Sequence, residues 1–144
     1  MDEYNPLKLE NQICFPLYAC AKEIIKLYKP FLDELDLTYT QYITMLVMWE
    51  YKTTTAHELG EKLYLDSGTL TPMLKKLEAK GYLTRKRSKT DERNLDIAIT
   101  DLGMSLRDKA TSIPSKLSKC IPLDTNKALE LYTTLNEVLD LLKK

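Results

Sequence analysis

Histidine occurs once in the 144 residues, at His57. A Ser-His-Asp triad or a zinc site built on imidazole therefore has little to draw on. Cysteine occurs three times, at Cys14, Cys20 and Cys120. An odd, widely spaced set with no CxxC pair points away from a disulfide scaffold and from a structural metal knuckle, so neither a metal nor a cofactor is expected. Four glycines and six prolines are too few for a turn-rich all-β fold. The longest apolar run, residues 43–49, falls far short of the ~20 residues that span a bilayer. The opening residues MDEYNPLKLENQ lack the apolar core of a secretion signal. The expectation is a soluble cytoplasmic protein with no membrane partner. Charge of one sign is also missing: 21 basic and 21 acidic residues give a formal net charge of zero. Taken alone, that balance argues against a polybasic surface for nucleic acid, although it is silent on how the charge is distributed.

What is present is an ordinary globular mixture, 44% hydrophobic and 29% charged, enough for one domain or one domain with an added oligomerisation element. Residues 7–29 read as a first helix with an apolar stripe of Leu17, Ala21, Ile24, Ile25 and Tyr28. Pro16 predicts a kink or a late start, Pro30 a stop or bend, and a short helix over 31–36 follows. Thr38 or Thr40 caps a helix to about residue 51. Thr53, Thr54 and Thr55 read as a turn and an N-cap for a helix ending at Leu63. After a break at 64–66, a helix over 67–80 turns Leu70, Leu74 and Leu77 inward and ends at Gly81. Pro72 predicts that this helix starts late or irregularly. Two alternating segments, 82–87 and 95–99, flank a polar tip and read as a hairpin. Thr100 caps a helix through Leu106, which Pro114 and Pro122 interrupt or end. A last helix over 124–143 is capped by Asp124 and striped with Leu131, Leu135, Val138, Leu139 and Leu142. Helix, turn, helix and hairpin in this order predict a mainly α fold with a small β-hairpin wing, a winged helix-turn-helix. The expected organisation is 1–36 for N-terminal helices, 37–100 for the winged lobe and 101–144 for C-terminal helices.

The neutral total conceals a segregation. Residues 75–93 hold Lys75, Lys76, Lys80, Arg85, Lys86, Arg87, Lys89 and Arg93 against only Glu78, Asp91 and Glu92, a local excess of five positive charges balanced by a deficit elsewhere. The excess falls on the second helix and the hairpin, the two elements a winged helix offers to the DNA grooves. Ser67, Thr69, Thr71, Pro72, Lys75 and Lys76 are the major-groove candidates. Arg85 and Arg87 add phosphate contacts. Arg93 at the hairpin tip suits a narrow minor groove, with Asp91 placed to orient it. His57 reads as a surface or phosphate-contacting residue.

Four stretches carry a resemblance: KLENQICF (8–15), YKPFLDELDLTYTQY (28–42), LYLDSGTLTPMLKKLE (63–78) and LTRKRSKTDERN (83–94). Over nearly its whole length the sequence resembles the MarR family of dimeric winged-helix regulators. NQICF combined with LTYTQY is most similar to the organic hydroperoxide resistance regulators of that family. The resemblance implies a homodimer held by N- and C-terminal helices on a pseudo-palindromic operator, with Cys14 as peroxidatic cysteine. Tyr28 and Tyr39 match the tyrosines that hydrogen-bond it. Cys14 and Tyr28 lie 14 residues apart, about 21 Å of rise on one helix. The resemblance accordingly implies that they meet across subunits. Tyr18, at i+4 from Cys14, lines the same pocket if the helix includes Cys14. Hydroxyl donors favour the thiolate that attacks peroxide, and apolar Phe15 and Leu17 favour an organic hydroperoxide. Cys120 falls where two-cysteine relatives carry a resolving cysteine, which implies an intersubunit Cys14–Cys120 disulfide. Cys20 reads as a core residue. Rival readings are a broader oxidation-responsive regulator of virulence or biofilm genes, a regulator responding to a small phenolic ligand, and a thiol peroxidase. The last is disfavoured because no reductant-docking site is visible, so no enzyme activity is expected.

Overall fold

The computed structural model describes residues 2–143. The chain packs as two compact units, one ending at Thr111 and the other beginning at Ser112. The expected borders at 36/37 and 100/101 therefore run through the first unit.

Two short 3₁₀ turns, Asn5–Leu7 and Leu9–Asn11, precede the first helix. Side chains hold them: Gln12 Nε2 donates to the carbonyls of Pro6 at 2.6 Å and Lys8 at 3.1 Å. Helix α1 is Cys14–Asp33, so the helix predicted from residue 7 starts seven residues later. Pro16 is its third residue, where a missing N–H has no intrahelical acceptor to disappoint. Pro30 neither stops nor replaces the helix, since α1 runs through it. The expected helix at 31–36 is the last turn of α1 followed by a tight reversal. There the N–H groups of Leu35 and Leu37 both donate to the Leu32 carbonyl, at 3.0 and 3.1 Å. Leu32 is the only buried residue of α1. Cys20, read as core, is exposed, because α1 packs into this unit only near its C-terminal end.

Helix α2 spans Tyr39–Tyr51 and opens with a full capping box, Thr38 with Gln41. Thr53–Thr55 is strand β1 rather than a turn. It pairs antiparallel with β3 (Leu95–Ile99), which pairs in turn with β2 (Leu83–Arg87), giving the order β1-β3-β2. Thr55 has a second role as the capping-box residue of α3 (Ala56–Leu63), with Glu58 as its partner. Helix α4 spans Ser67–Ala79 and is capped by Asp66, whose Oδ1 accepts from Thr69 N at 2.8 Å. It begins on time, with Pro72 inside it, against the expected late start. Pro72 leaves only the carbonyl of Gly68 without a helical donor, and Gly68 is exposed to water.

Gly81 follows α4 at φ +84°. Its N–H donates to Glu78 O at 2.9 Å and that of Tyr82 to Leu77 O at 3.1 Å, a Schellman ending that needs a left-handed residue. Helix α5 is Asp101–Ala110, capped by Thr100. Its Gly103 lies flat against the strand before it; a Cβ there would collide with the Tyr82 carbonyl and sit 2.8 Å from Ile99 Cγ1. The core of this unit is Leu32, Leu35 and Leu37, then Met45, Met48 and Trp49 of α2, Leu59 of α3, Leu70, Met73, Leu74 and Leu77 of α4, with Leu83, Ile97 and Leu106. Each such burial is worth about 1.5–3 kcal/mol.

The second unit holds α6 (Ile113–Cys120) and α7 (Thr125–Leu142). Pro114 begins α6 rather than ending a helix, and Pro122 lies in the link to α7, which Asp124 caps. Helix α7 buries nothing. Its predicted stripe is open: Leu131, Val138, Leu139 and Leu142 are all exposed. No helix among the described residues is long and apolar enough to cross a membrane.

Candidate nucleic-acid interface and redox site

The first site is the outer face of α4 with the β2–β3 hairpin. Burial of Leu70, Met73, Leu74 and Leu77 turns the opposite face of α4 outward. Ser67, Thr69, Pro72, Lys75 and Lys76 are exposed there, with Thr71 half-buried at its edge. The hairpin tip is ordered by Ser88, which is buried. Its Oγ lies 3.0 Å from Thr90 Oγ1 and accepts from the N–H groups of Thr90 and Asp91 at 3.3 and 3.4 Å. Asp91 Oδ1 accepts from Arg93 N at 3.0 Å and lies 3.6 Å from Arg93 Nε. That carboxylate aims a guanidinium whose side chain is otherwise 94% exposed. Arg87 is exposed as well.

Arg85 is engaged within the chain. Its Nε and Nη2 donate to Glu78 Oε1 at 3.3 and 3.1 Å, and its own backbone N–H donates to Glu78 Oε2 at 2.9 Å. The side chain hydrogen bond from Arg85 holds the Glu78 carboxyl below its ordinary value. Arg85 thus braces the wing against α4. Lys80 is tied down too, to the Asp36 carbonyl and carboxylate and to Gln41 Oε1. Spacing in sequence cannot separate such internal pairs from free cations. His57 is exposed and sits 3.2 Å from Glu61 on its own helix.

The second site begins at Cys14, the first residue of α1, where unpaired backbone N–H groups favour negative charge. Cys14 is exposed, and so are Phe15, Leu17 and Tyr18. Tyr18 lies one turn on, with Lys22 Nζ 6.0 Å from its ring. Tyr28 and Tyr39 are brought together by the packing of α1 on α2, ring centroids 5.0 Å apart. Tyr42, absent from the sequence candidates, completes a triangle at 5.6 Å from Tyr28 and 6.4 Å from Tyr39. Its i+3 spacing from Tyr39 was the available signal. Burial first, then the neighbouring Tyr39 and Tyr42, push Tyr28 up to about 12. Burial raises Tyr39 and Tyr42 as well. All three phenols therefore stay protonated at neutral pH. Cys14 and Tyr28 share a continuous helix, so the subunit's own thiol stays about 21 Å of helical rise from the triangle. Cys120 ends α6, exposed, with its Sγ 3.4 Å from Lys116 O.

Residues 26–110 match the family model of the SarA/Rot transcriptional regulators. The chain belongs to this family of winged-helix regulators. The organic hydroperoxide resistance transcriptional regulator of Bacillus subtilis is 52% identical over 116 residues, 81% of this chain and 79% of that protein. The regulator SarZ of Staphylococcus saprophyticus is 45% identical over 127 residues, covering 88% and 87%. Among solved structures, reduced AbfR bound to DNA superposes with a TM-score of 0.77 at 33% identity over 98% of both chains. AbfR has also been solved overoxidized on DNA and in a disulfide-formed state. The resemblance to MarR-type and organic hydroperoxide regulators is thereby borne out, and so is the winged-helix fold. This chain is a transcriptional regulator of a redox-responsive, DNA-binding family, not an enzyme.

Proposed function

We propose that the regulator is a repressor that binds pseudo-palindromic operator DNA as a homodimer and releases it when organic hydroperoxides oxidise Cys14. The observation that carries this reading is the tyrosine triangle. It gathers neutral hydroxyl donors at a place the chain's own Cys14 cannot reach, so a thiolate from a second subunit is what completes it. The exposed apolar surfaces of α1 and α7 supply a dimer interface. In each subunit Ser67, Thr69, Thr71, Pro72, Lys75 and Lys76 face a major groove, with Arg87 on phosphate. Arg93, aimed by Asp91, enters the flanking minor groove. The twofold sets half-sites one turn apart, roughly 34 Å.

In the sensing step the Cys14 thiolate attacks the terminal oxygen of the hydroperoxide. The O–O bond breaks, the alcohol leaves with a proton, and Cys14 becomes a sulfenic acid. The thiol of the partner's Cys120 then attacks that sulfur, forming the disulfide and releasing water. Phe15 and Leu17 give the approach an apolar lining, and Tyr18 borders it. Moving the operator from 99% to 1% occupied takes about 5.5 kcal/mol of difference between the two forms. A disulfide that strains the DNA-competent shape can supply this.

Operator binding before and after cumene hydroperoxide, with nonreducing gels, tests the scheme. Cys14→Ser is expected to stay on DNA after oxidant. Cys120→Ser is expected to lose the crosslinked dimer band. Release of DNA by oxidised Cys14→Ser would sink the sensing assignment, and absence of the band in wild type would remove Cys120 from it.

A further inference from the structure

Tyr42 differs from its two aromatic partners. Tyr28 and Tyr39 are half-buried, whereas Tyr42 is 3% exposed. Its ring packs against both of them and also against Trp49, edge-on at 6.4 Å. Trp49 is itself pinned, with its buried Nε1 donating to Gly103 O at 2.9 Å. The triangle thus has one member anchored to the core and two that lean on it. What Tyr42 contributes to the cluster is its ring, which is buried and packed against Trp49.

We propose that Tyr42 is a positioning residue of the redox site, whose ring, backed by Trp49, holds Tyr28 and Tyr39 at the spacing that receives the Cys14 thiolate. This rests on the reading of Tyr28 and Tyr39 as its donors. Two hydroxyls converging on one sulfur must each keep its direction, and a phenol on a half-buried ring keeps it only if the ring cannot rock. Contacts with a third, immobile ring restrict that motion. The tethered Trp49 extends the restriction to the start of α5.

The test is the initial rate of Cys14 oxidation by cumene hydroperoxide in the full-length, pre-reduced protein. Tyr42→Leu removes the ring and is expected to slow oxidation by roughly tenfold or more, since small misplacements of reacting groups cost about that. Tyr42→Phe keeps the ring and is expected to retain the wild-type rate. Tyr42→Met, longer and more adaptable in packing, serves if Tyr42→Leu does not fold. The decisive arm places Tyr42→Leu in a Tyr28→Phe/Tyr39→Phe background. A residue that acts only through those hydroxyls has nothing left to lose there, so no further slowing is expected. Equal slowing in both backgrounds, or slowing by Tyr42→Phe as large as by Tyr42→Leu, overturns the positioning role. If Tyr28→Phe/Tyr39→Phe alone oxidises at the wild-type rate, the donor reading itself has failed, and Tyr42's role falls with it.

Discussion

Tyr28 keeps its proton to about pH 12 because burial and two neighbouring phenols disfavour the phenolate. Its raised folded-state value fixes a sign: the stability it contributes is fully present below the ordinary value of 10.0 and is lost as pH rises towards about 12. In an ultraviolet titration, Tyr28, Tyr39 and Tyr42 are expected to ionise above the ordinary value of 10.0. Tyr28→Phe should remove the step near 12, and survival of that step in the variant would contradict the clustering. The arginines make a second contrast at this scale. Arg93→Ala is expected to weaken operator binding by roughly tenfold with an unchanged melting temperature. Arg85→Ala is expected to lower the melting temperature by about a few degrees, since it strips Glu78 of its partner. Sequence spacing named both as DNA ligands. Only the fold distinguishes the arginine facing Glu78 from the one facing water.

Elements with their own local signals were readable: the caps at Thr38, Thr55, Thr100 and Asp124, the alternation of Leu95, Ile97 and Ile99, the glycine after α4. What escaped depended on partners distant in sequence. Thr53–Thr55 is too short to show alternation, and becomes a strand only because β3 offers it a ladder from Asp96 to Ala98. The start of α1 at Cys14 fits the late start that Pro16 suggested, whereas Pro30 and Pro72 were misread, because tertiary packing outweighs one lost hydrogen bond. Pro30 is followed at once by half-buried Phe31 and buried Leu32, and Pro72 by buried Met73 and Leu74. Cys20 was misplaced because helical spacing does not say how much of a helix its own fold covers, and α1 buries only Leu32. Gly103 shows the opposite case, a residue silent in sequence and constrained in the fold. Gly103→Ala forces a methyl against the Tyr82 carbonyl and Ile99 and is expected to cost about 1–3 kcal/mol in urea unfolding. The strain would also disturb the carbonyl that receives Trp49. A neutral Gly103→Ala would mean that α5 shifts freely from the sheet.

At the scale of the whole molecule, zero net charge hides a protein divided by sign. Eight cations lie between residues 75 and 93, but Lys80 and Arg85 are engaged internally. Lys75, Lys76, Lys86, Arg87, Lys89 and Arg93 remain exposed. The acids that cancel them lie largely outside this segment, and charges more than about 8 Å from the phosphates are largely screened at physiological salt. Operator affinity should therefore follow the local excess and not the total. Each phosphate neutralised contributes about −0.9 to the slope of log affinity against log salt. A dimer using three or four of the six exposed cations per subunit should show a slope of roughly −5 to −7. Lys75→Ala and Lys76→Ala should each flatten it by about 2, one contact per subunit. Arg85→Ala should leave it unchanged once binding is measured below the melting transition. Fluorescence anisotropy on an operator duplex between about 50 and 200 mM salt reads all of these. A slope near zero in wild type would mean that the acidic remainder sits close enough to the DNA to cancel the patch, and the segregation of charge would then have no part in binding.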